Sequence, residues 1–224
     1  MSKEVVAIDG PAGAGKSTVA KAVAKRLGFS YLDTGAMYRC IALLALRNSL
    51  GPGDGETAAN LAINASIEFM PGDPQRVLLD GEDVTELIRT MEIGELASAL
   101  SAHSNVRKEL VKRQKRLCDA GKVVLEGRDT TTVVCPDARL KVYLTASVEE
   151  RAKRRWLELQ AKGDSTPLEE IERQIAQRDE RDMTRSDSPL MVADDAVKID
   201  TDAMTVDEVI EAVLAEWNKS LLVS

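Results

Sequence analysis

Residues Gly10-Pro11-Ala12-Gly13-Ala14-Gly15-Lys16-Ser17 have the spacing G-x-x-x-x-G-K-[ST], with Thr18 directly after them. The pattern suits one kind of chemistry, the wrapping of a polyphosphate. Its glycines let successive amide N–H groups point inward, and the positive end of a following helix adds to their field. Lys16 is expected to reach the β and γ phosphate oxygens. Ser17 is expected to offer its hydroxyl to Mg²⁺, a hard cation that takes few protein ligands. Two further stations could meet an acceptor. Asp33-Thr34-Gly35-Ala36-Met37-Tyr38-Arg39 and Glu126-Gly127-Arg128-Asp129 each put an arginine just after a short strand-like run. Either one alone could be a turn with a surface ion pair, but together they suggest an acceptor that bears its own anion. Arg107 adds a hint. If Ser104 caps a helix running to Ala120, Arg107 lies in its first turn, where the dipole disfavours a cation unless a ligand or carboxylate compensates.

An acceptor phosphate needs no strong general base, because its oxygen is already an anionic nucleophile; catalysis is then alignment and charge stabilisation. The residue inventory agrees. His103 is the only histidine, so no histidine triad or multi-histidine metal site can be assembled, and an ordinary polar residue near a helix start is the expectation for it. The three cysteines, Cys40, Cys118 and Cys135, are widely separated and lack C-x-x-C spacing, which suggests buried free thiols rather than a disulfide framework or a zinc site. A net charge of −7 argues against a nucleic-acid polymer as main partner. The basic residues nevertheless gather at 107–116, 151–155 and 173–185, as a small, highly charged ligand would require, although most of them individually read as solvated helix faces.

These groups have to be held by elements that the apolar pattern predicts. Val5 to Asp9 reads as a strand ending at Gly10, and Thr18 to Leu27 as a helix with Val19, Val23 and Leu27 on one face and Gly28 at its stop. Further strands are expected at 30–32, 123–125, 140–144 and 197–199. Ser147-x-x-Glu150 and Thr205-x-x-Glu208 are capping boxes, and Val206, Val209, Ile210, Val213, Leu214 and Trp217 form one helix face. The alternation predicts an α/β chain with a five-stranded parallel sheet flanked by helices, the fold of phosphate-loop nucleotide hydrolases. Two segments interrupt the rhythm. Residues 62–90, with Ile67, Phe69, Val77, Leu79 and a Pro-Gly-Asp-Pro turn at 71–74, read as an inserted β-hairpin. Residues 148–188 are charged and helical, broken near Gly163 to Pro167 and stopped by Pro189. They read as a lid in preference to a plain helical hairpin on the sheet, because arginines beside a phosphate site have a job available. With 224 residues, 44% of them apolar, the chain is expected to form one domain: a core at about 1–40, 118–147 and 190–224, an insert at about 41–117 and a lid at about 148–188. The apolar run after Met1 is too short for a signal peptide or a membrane span, so a cytoplasmic protein without membrane attachment is expected, and no apolar stripe demands assembly beyond a monomer.

Along nearly its whole length the sequence resembles the bacterial cytidylate kinases. Four stretches carry the resemblance: GPAGAGKST at 10–18, LDTGAMYR at 32–39, LLDGEDVTELIRTMEI at 78–93, and EGRD with TVV at 126–134. The hairpin looks like that family's enlarged monophosphate-binding insert, and QRDERDMTR at 177–185 looks like its lid and ribose-binding segment. The resemblance implies transfer of the ATP γ-phosphoryl to CMP or dCMP with Mg²⁺. By it, Gly10 to Thr18 bind ATP; Ser98, Arg107 and Asp129 read cytosine; Thr34, Arg39, Arg128 and Arg185 hold the CMP phosphate; Arg178 and Asp182 meet the ribose. Lys16, Arg128, Arg178 and Arg185 would then carry the catalysis. Cytosine's amino donor and its N3 and O2 acceptors suit a carboxylate and a guanidinium. Glu126 is similar to an acidic position that holds Mg²⁺ through water, or is a structural carboxylate at a strand end. Thr130-Thr131 departs from the family, which usually has an apolar residue and glycine there, and this predicts a stiffer or differently shaped loop after Asp129. Two rivals remain: a kinase of a small hydroxylated metabolite, with Asp33 orienting the acceptor hydroxyl, and a slow ATPase that regulates a partner.

Overall fold

The computed structural model of the chain describes residues 3–72, 75–161 and 163–222. In chain order the elements are β1 (Lys3–Asp9), α1 (Lys16–Leu27), β2 (Ser30–Asp33), α2 (Thr34–Arg47), α3 (Gly55–Asn64), β3 (Ile67–Met70), β4 (Arg76–Leu79), β5 (Glu82–Asp83), a 3₁₀ turn (Leu87–Arg89), α4 (Met91–Leu100), α5 (Ser104–Asp119), β6 (Val123–Gly127), a π-helical turn (Thr130–Val134), β7 (Ala138–Thr145), α6 (Val148–Gln160), α7 (Leu168–Thr184), β8 (Val197–Asp200) and α8 (Val206–Leu222). They divide into two compact units, Met1–Tyr31 with Ala120–Ser224, and Leu32–Asp119.

The first unit is built on the five-stranded parallel sheet, in the order β2-β6-β1-β7-β8. Val5, Val6, Ala7 and Ile8 of β1 are all buried, as a central parallel strand covered on both faces requires, which is why this strand reads as an unbroken apolar run. β1 pairs with β6 through Val5↔Val123 to Asp9↔Gly127, so Asp9 and the residue before Arg128 finish their strands side by side. One face of the sheet is sealed by α1 and α8: Val19, Ala20, Val23 and Ala24 meet Val209, Ile210, Val213 and Trp217 over Val6, Ile8, Val142 and Leu144. Phe29 packs edge-on to Trp217, ring centroids 5.4 Å apart. Val206, expected on that face, is half exposed at the helix start. The Thr205–Glu208 capping box forms, with reciprocal side-chain to backbone bonds at 2.8 and 3.3 Å, whereas only half of the other does: Ser147 Oγ accepts from the Glu150 amide at 3.2 Å, but the Ser147 amide donates to Asp202 Oδ1 at 2.8 Å and Glu150 pairs with Arg154.

The second unit packs α2, α3, α4 and α5 with a three-stranded antiparallel sheet, β3-β4-β5. The expected hairpin pairs Ile67 with Leu79 and Phe69 with Val77, and β5 adds a third strand to it. Half of its expected turn, Asp73 and Pro74, lies outside the described residues. Arg113 Nη1 donates to the Ala65 carbonyl at 2.6 Å and its Nη2 reaches those of Ala62 and Ile63, so this member of the basic cluster closes the C-terminal end of α3. His103 bonds the Pro52 carbonyl at 2.7 Å and packs on Gly55, a structural part for a residue given no other.

Cys40 is a buried free thiol, and burial first, then the Asp33 charge, push it up to about 12. Cys118 and Cys135 correct the expectation, for neither is a free thiol; sequence spacing sees only chain neighbours, and these two are far apart along the chain. Among the described residues no helix is long and apolar enough to cross a membrane.

Candidate active site

β1 delivers the chain to Gly10, whose φ is 154° and where a Cβ would stand 2.1 Å from the Leu144 carbonyl oxygen, so a side chain there would force the loop off β7. Gly13, at φ 79°, lets α6 come close: a Cβ would stand 3.0 Å from Arg151 Cβ. The loop is then fastened by a buried pair. Arg151 Nη1 donates to the Ala12 carbonyl at 2.9 Å and to Asp179 Oδ2 at 2.6 Å, and the Ala12 amide donates back to Asp179 Oδ1 at 3.4 Å. α6 and α7 therefore both grip the phosphate loop at one residue.

Lys16 opens α1 and is buried, its Nζ donating to the Pro11 carbonyl at 2.7 Å. Burial, with Arg128 and Arg178, pushes this ammonium down to about 7, against the pull of Glu126 and Asp9. A lysine in that state gains more than an exposed one from an incoming polyanion. Ser17 and Thr18 follow it, exposed on the first turn.

Arg128 leaves the end of β6 and donates from Nε to Asp182 Oδ2 at 2.9 Å and from Nη1 to the Gly127 carbonyl at 3.3 Å. Arg185 lies 3.7 Å from Asp182 and 3.8 Å from Asp129, and its Nε donates to the Ser188 carbonyl at 2.8 Å. Arg178, one turn of α7 before Asp182, adds its charge to both Asp182 and Lys16. Burial would raise the Asp182 carboxyl, but Arg128, Arg178 and Arg185 outweigh it and hold the group below its ordinary value. Glu126 is buried at the end of β6 and accepts from Tyr31 Oη at 2.7 Å. Thus Lys16, Glu126, Arg128, Asp129, Arg178, Asp182 and Arg185, all expected from the sequence, form one charged network in the first unit.

The other four expected residues lie in the second unit. Thr34 begins α2 behind its cap Asp33, which accepts from the Ala36 amide at 3.0 Å. Arg39 Nη1 donates to the Ile88 carbonyl at 2.9 Å, and Gly94 of α4 leaves the room its guanidinium occupies. Ser98 is buried on α4. Arg107 is buried on α5, its guanidinium over the Tyr38 ring at 5.5 Å and its Nη1 donating to the Ser101 carbonyl at 3.3 Å. The helix starts at Ser104 itself, and the Arg107 amide bonds the His103 carbonyl, so Arg107 remains in the first turn.

Asp33, named from the sequence as a possible partner of an acceptor hydroxyl, is instead paired with Arg89 at 2.8 Å. Two groups were missed by reasoning from sequence. Arg151 and Asp179 stood in basic and mixed clusters that read as solvent faces. Asp9 accepts four hydrogen bonds from Thr130 and Thr131, and the unusual Thr130-Thr131 pair was the available signal for it.

Comparison with known proteins agrees with this architecture. The family model described as cytidylate kinase matches residues 6–219. A cytidylate kinase of Ligilactobacillus salivarius is 49% identical over 215 residues, covering 96% of each chain. One of Carboxydothermus hydrogenoformans is 50% identical over 210 residues, covering 93% of this chain and 95% of its own. Among solved structures, an uncharacterised protein from Eubacterium ventriosum, 10% identical, covers 95% of this chain at a TM-score of 0.53 and shares its fold. Matched from the first strand to the last helix and close to half identical to these relatives, the chain belongs to the cytidylate kinase family.

Proposed function

We propose that this chain transfers the γ-phosphoryl of ATP, reversibly, to CMP or dCMP, giving ADP and CDP or dCDP in pyrimidine nucleotide metabolism. The observation that carries the reading is the network around Lys16. Four cations, Lys16, Arg128, Arg178 and Arg185, stand together with three buried carboxylates, Glu126, Asp129 and Asp182. Such a surplus of cation suits two phosphates that must be brought together against their repulsion. Gly10, Pro11, Ala12, Gly13, Ala14, Gly15, Lys16, Ser17 and Thr18 bind ATP. Thr34, Arg39, Arg128 and Arg185 hold the acceptor phosphate, Ser98, Arg107 and Asp129 read cytosine, and Arg178 with Asp182 meets the ribose. An acceptor phosphate oxygen attacks the γ-phosphorus, the bond to the β,γ-bridging oxygen breaks, and Lys16 with the three arginines offsets the charge in between.

The donor set fits Mg²⁺. Ser17 offers an exposed hydroxyl and Glu126 a carboxylate, both hard oxygens, too few to strip the ion of its waters. Bound there, Mg²⁺ would neutralise phosphate charge. Segment 148–188 acts as a lid and 41–117 as the monophosphate-binding insert, in a cytoplasmic monomer. The pairing of Asp33 with Arg89 and the α2 cap counts against Asp33 as the base for an acceptor hydroxyl. An ADP-release assay with CMP, dCMP, UMP, AMP and shikimate tests the reading. Fast turnover is expected with CMP and dCMP, and turnover on shikimate alone would overturn it.

A further inference from the structure

Asp9 is the last residue of β1, fully buried, and its carboxylate is saturated by two adjacent residues of the π-helical turn. Thr130 gives its amide at 2.9 Å and its hydroxyl at 2.7 Å to Oδ1; Thr131 gives its amide at 2.7 Å and its hydroxyl at 2.6 Å to Oδ2. Both threonines are themselves fully buried. Burial outweighs the four donors and leaves the Asp9 carboxyl above its ordinary value. Two amides are available to any sequence in this turn, but the second pair of donors exists only because both residues carry hydroxyls. The third threonine, Thr132, is different: its buried Oγ1 has no hydrogen-bond partner among the described residues.

The position of this fork gives it a use. On one side Asp9 is followed by Gly10, the first residue of the phosphate loop. On the other side Thr130 is preceded by Arg128 and Asp129. A saturated carboxylate with both oxygens held allows no rotation, so the fork fixes the start of the phosphate loop to the start of the turn that follows Arg128 and Asp129. We propose that Thr130 and Thr131 are positioning residues for phosphoryl transfer, whose hydroxyls, through Asp9, hold Arg128 in register with the phosphate loop. The proposal rests on the reading of Arg128 as an acceptor-phosphate arginine.

The test replaces hydroxyls by methyls of the same shape. In Thr130→Val/Thr131→Val, kcat with CMP is expected to fall about ten- to a hundredfold, the scale of a small misplacement, and the KM for CMP to rise, with the KM for ATP within about twofold. Thr130→Ser/Thr131→Ser, which keeps every donor, is expected to stay within about twofold of the parent in all three, as is Thr132→Val. Should the double valine variant fail to fold, the single variants, each lacking one of the four bonds, are expected to show the same pattern in smaller measure. A lowered melting temperature with kcat and both KM values unchanged would overturn the proposal by making the fork merely structural, and so would loss of kcat in the serine variant. Arg128→Ala separates the two readings. If it retains parental kcat, the assignment of Arg128 has failed; if it loses kcat while the valine variants do not, only the fork has failed.

Discussion

At the scale of single residues, the charged network is a set of buried groups that tolerate one another only as a set. Asp182 shows the sign. Its carboxyl titrates in the folded chain below the ordinary 3.8, because three arginines outweigh its burial. Its contribution to stability is therefore present above about 3.8 and is lost as pH falls through the lower folded value. In Asp182→Asn the arginines stay buried without their anion, a loss of about 3 kcal/mol for one partner of a buried pair. Urea titrations of parent and variant are expected to differ by that amount near neutral pH and to converge below 3.8; a gap independent of pH would mean that the carboxylate's charge is not what matters. Arg107 is a guanidinium buried at a helix start, over the Tyr38 ring and donating to the Ser101 carbonyl. Its donors match the N3 and O2 acceptors of cytosine and are mismatched to the N3–H of uracil. Arg107→Met is expected to lower kcat/KM for CMP by roughly 10² while leaving the KM for ATP alone, the scale of a lost charge-assisted bond. Unchanged CMP kinetics would remove Arg107 from the base site. The place of Arg107 in a first helical turn was legible in the sequence, because Ser104 reads as a helix start. Arg113 was not, since nothing in the chain's order says that its guanidinium closes the end of another helix.

Elements were legible where one physical rule decides them. The buried central strand, the glycine stop of α1 and the reciprocal Thr205–Glu208 cap follow from burial, handedness and orphan amides, and all are present. The π-helical turn was not legible, because what holds it is a carboxylate more than a hundred residues earlier in the chain. The same holds for α6 and α7. Their amphipathic pattern predicted two helices around a break, but not that Arg151 and Asp179 lock onto Ala12. This latch couples the α6–α7 pair to the phosphate loop, so loosening one should loosen the other. In Asp179→Ala, amide hydrogen exchange is expected to rise together in 168–184 and 10–15. Arg173→Ala, which removes only an exposed pair with Glu170, should leave both unchanged. Faster exchange in α7 with the loop still protected would show that the latch transmits nothing. If 148–188 is a lid, an ATP analogue with CMP should raise its protection in the parent chain.

On the scale of the whole chain, the order of connection sets what unfolding should look like. Each unit has its own core, one around α2, α4 and α5, the other around the parallel sheet, α1 and α8. The Leu32–Asp119 unit is a single continuous stretch, and the expected insert of about 41–117 falls inside it. The other unit is split: it needs Tyr31 and Ala120 close together, since β2 and β6 are neighbours in its sheet and the Ser30 amide bonds the Lys122 carbonyl. If the inserted unit melts first, the sheet must hold together around a floppy loop of roughly 90 residues, at a closure cost of about 4 kcal/mol. If the sheet melts first, the inserted unit loses nothing from its own connectivity. The split unit should therefore be the first to go. The sequence supplies the probe, because both tryptophans, Trp156 and Trp217, belong to the split unit, while helices of both units contribute to circular dichroism. In urea without substrates, the tryptophan fluorescence midpoint is expected to fall below the midpoint of the helical signal. Coincident curves would instead mark one cooperative unit, and a fluorescence midpoint above the helical one would reverse the order argued from connectivity.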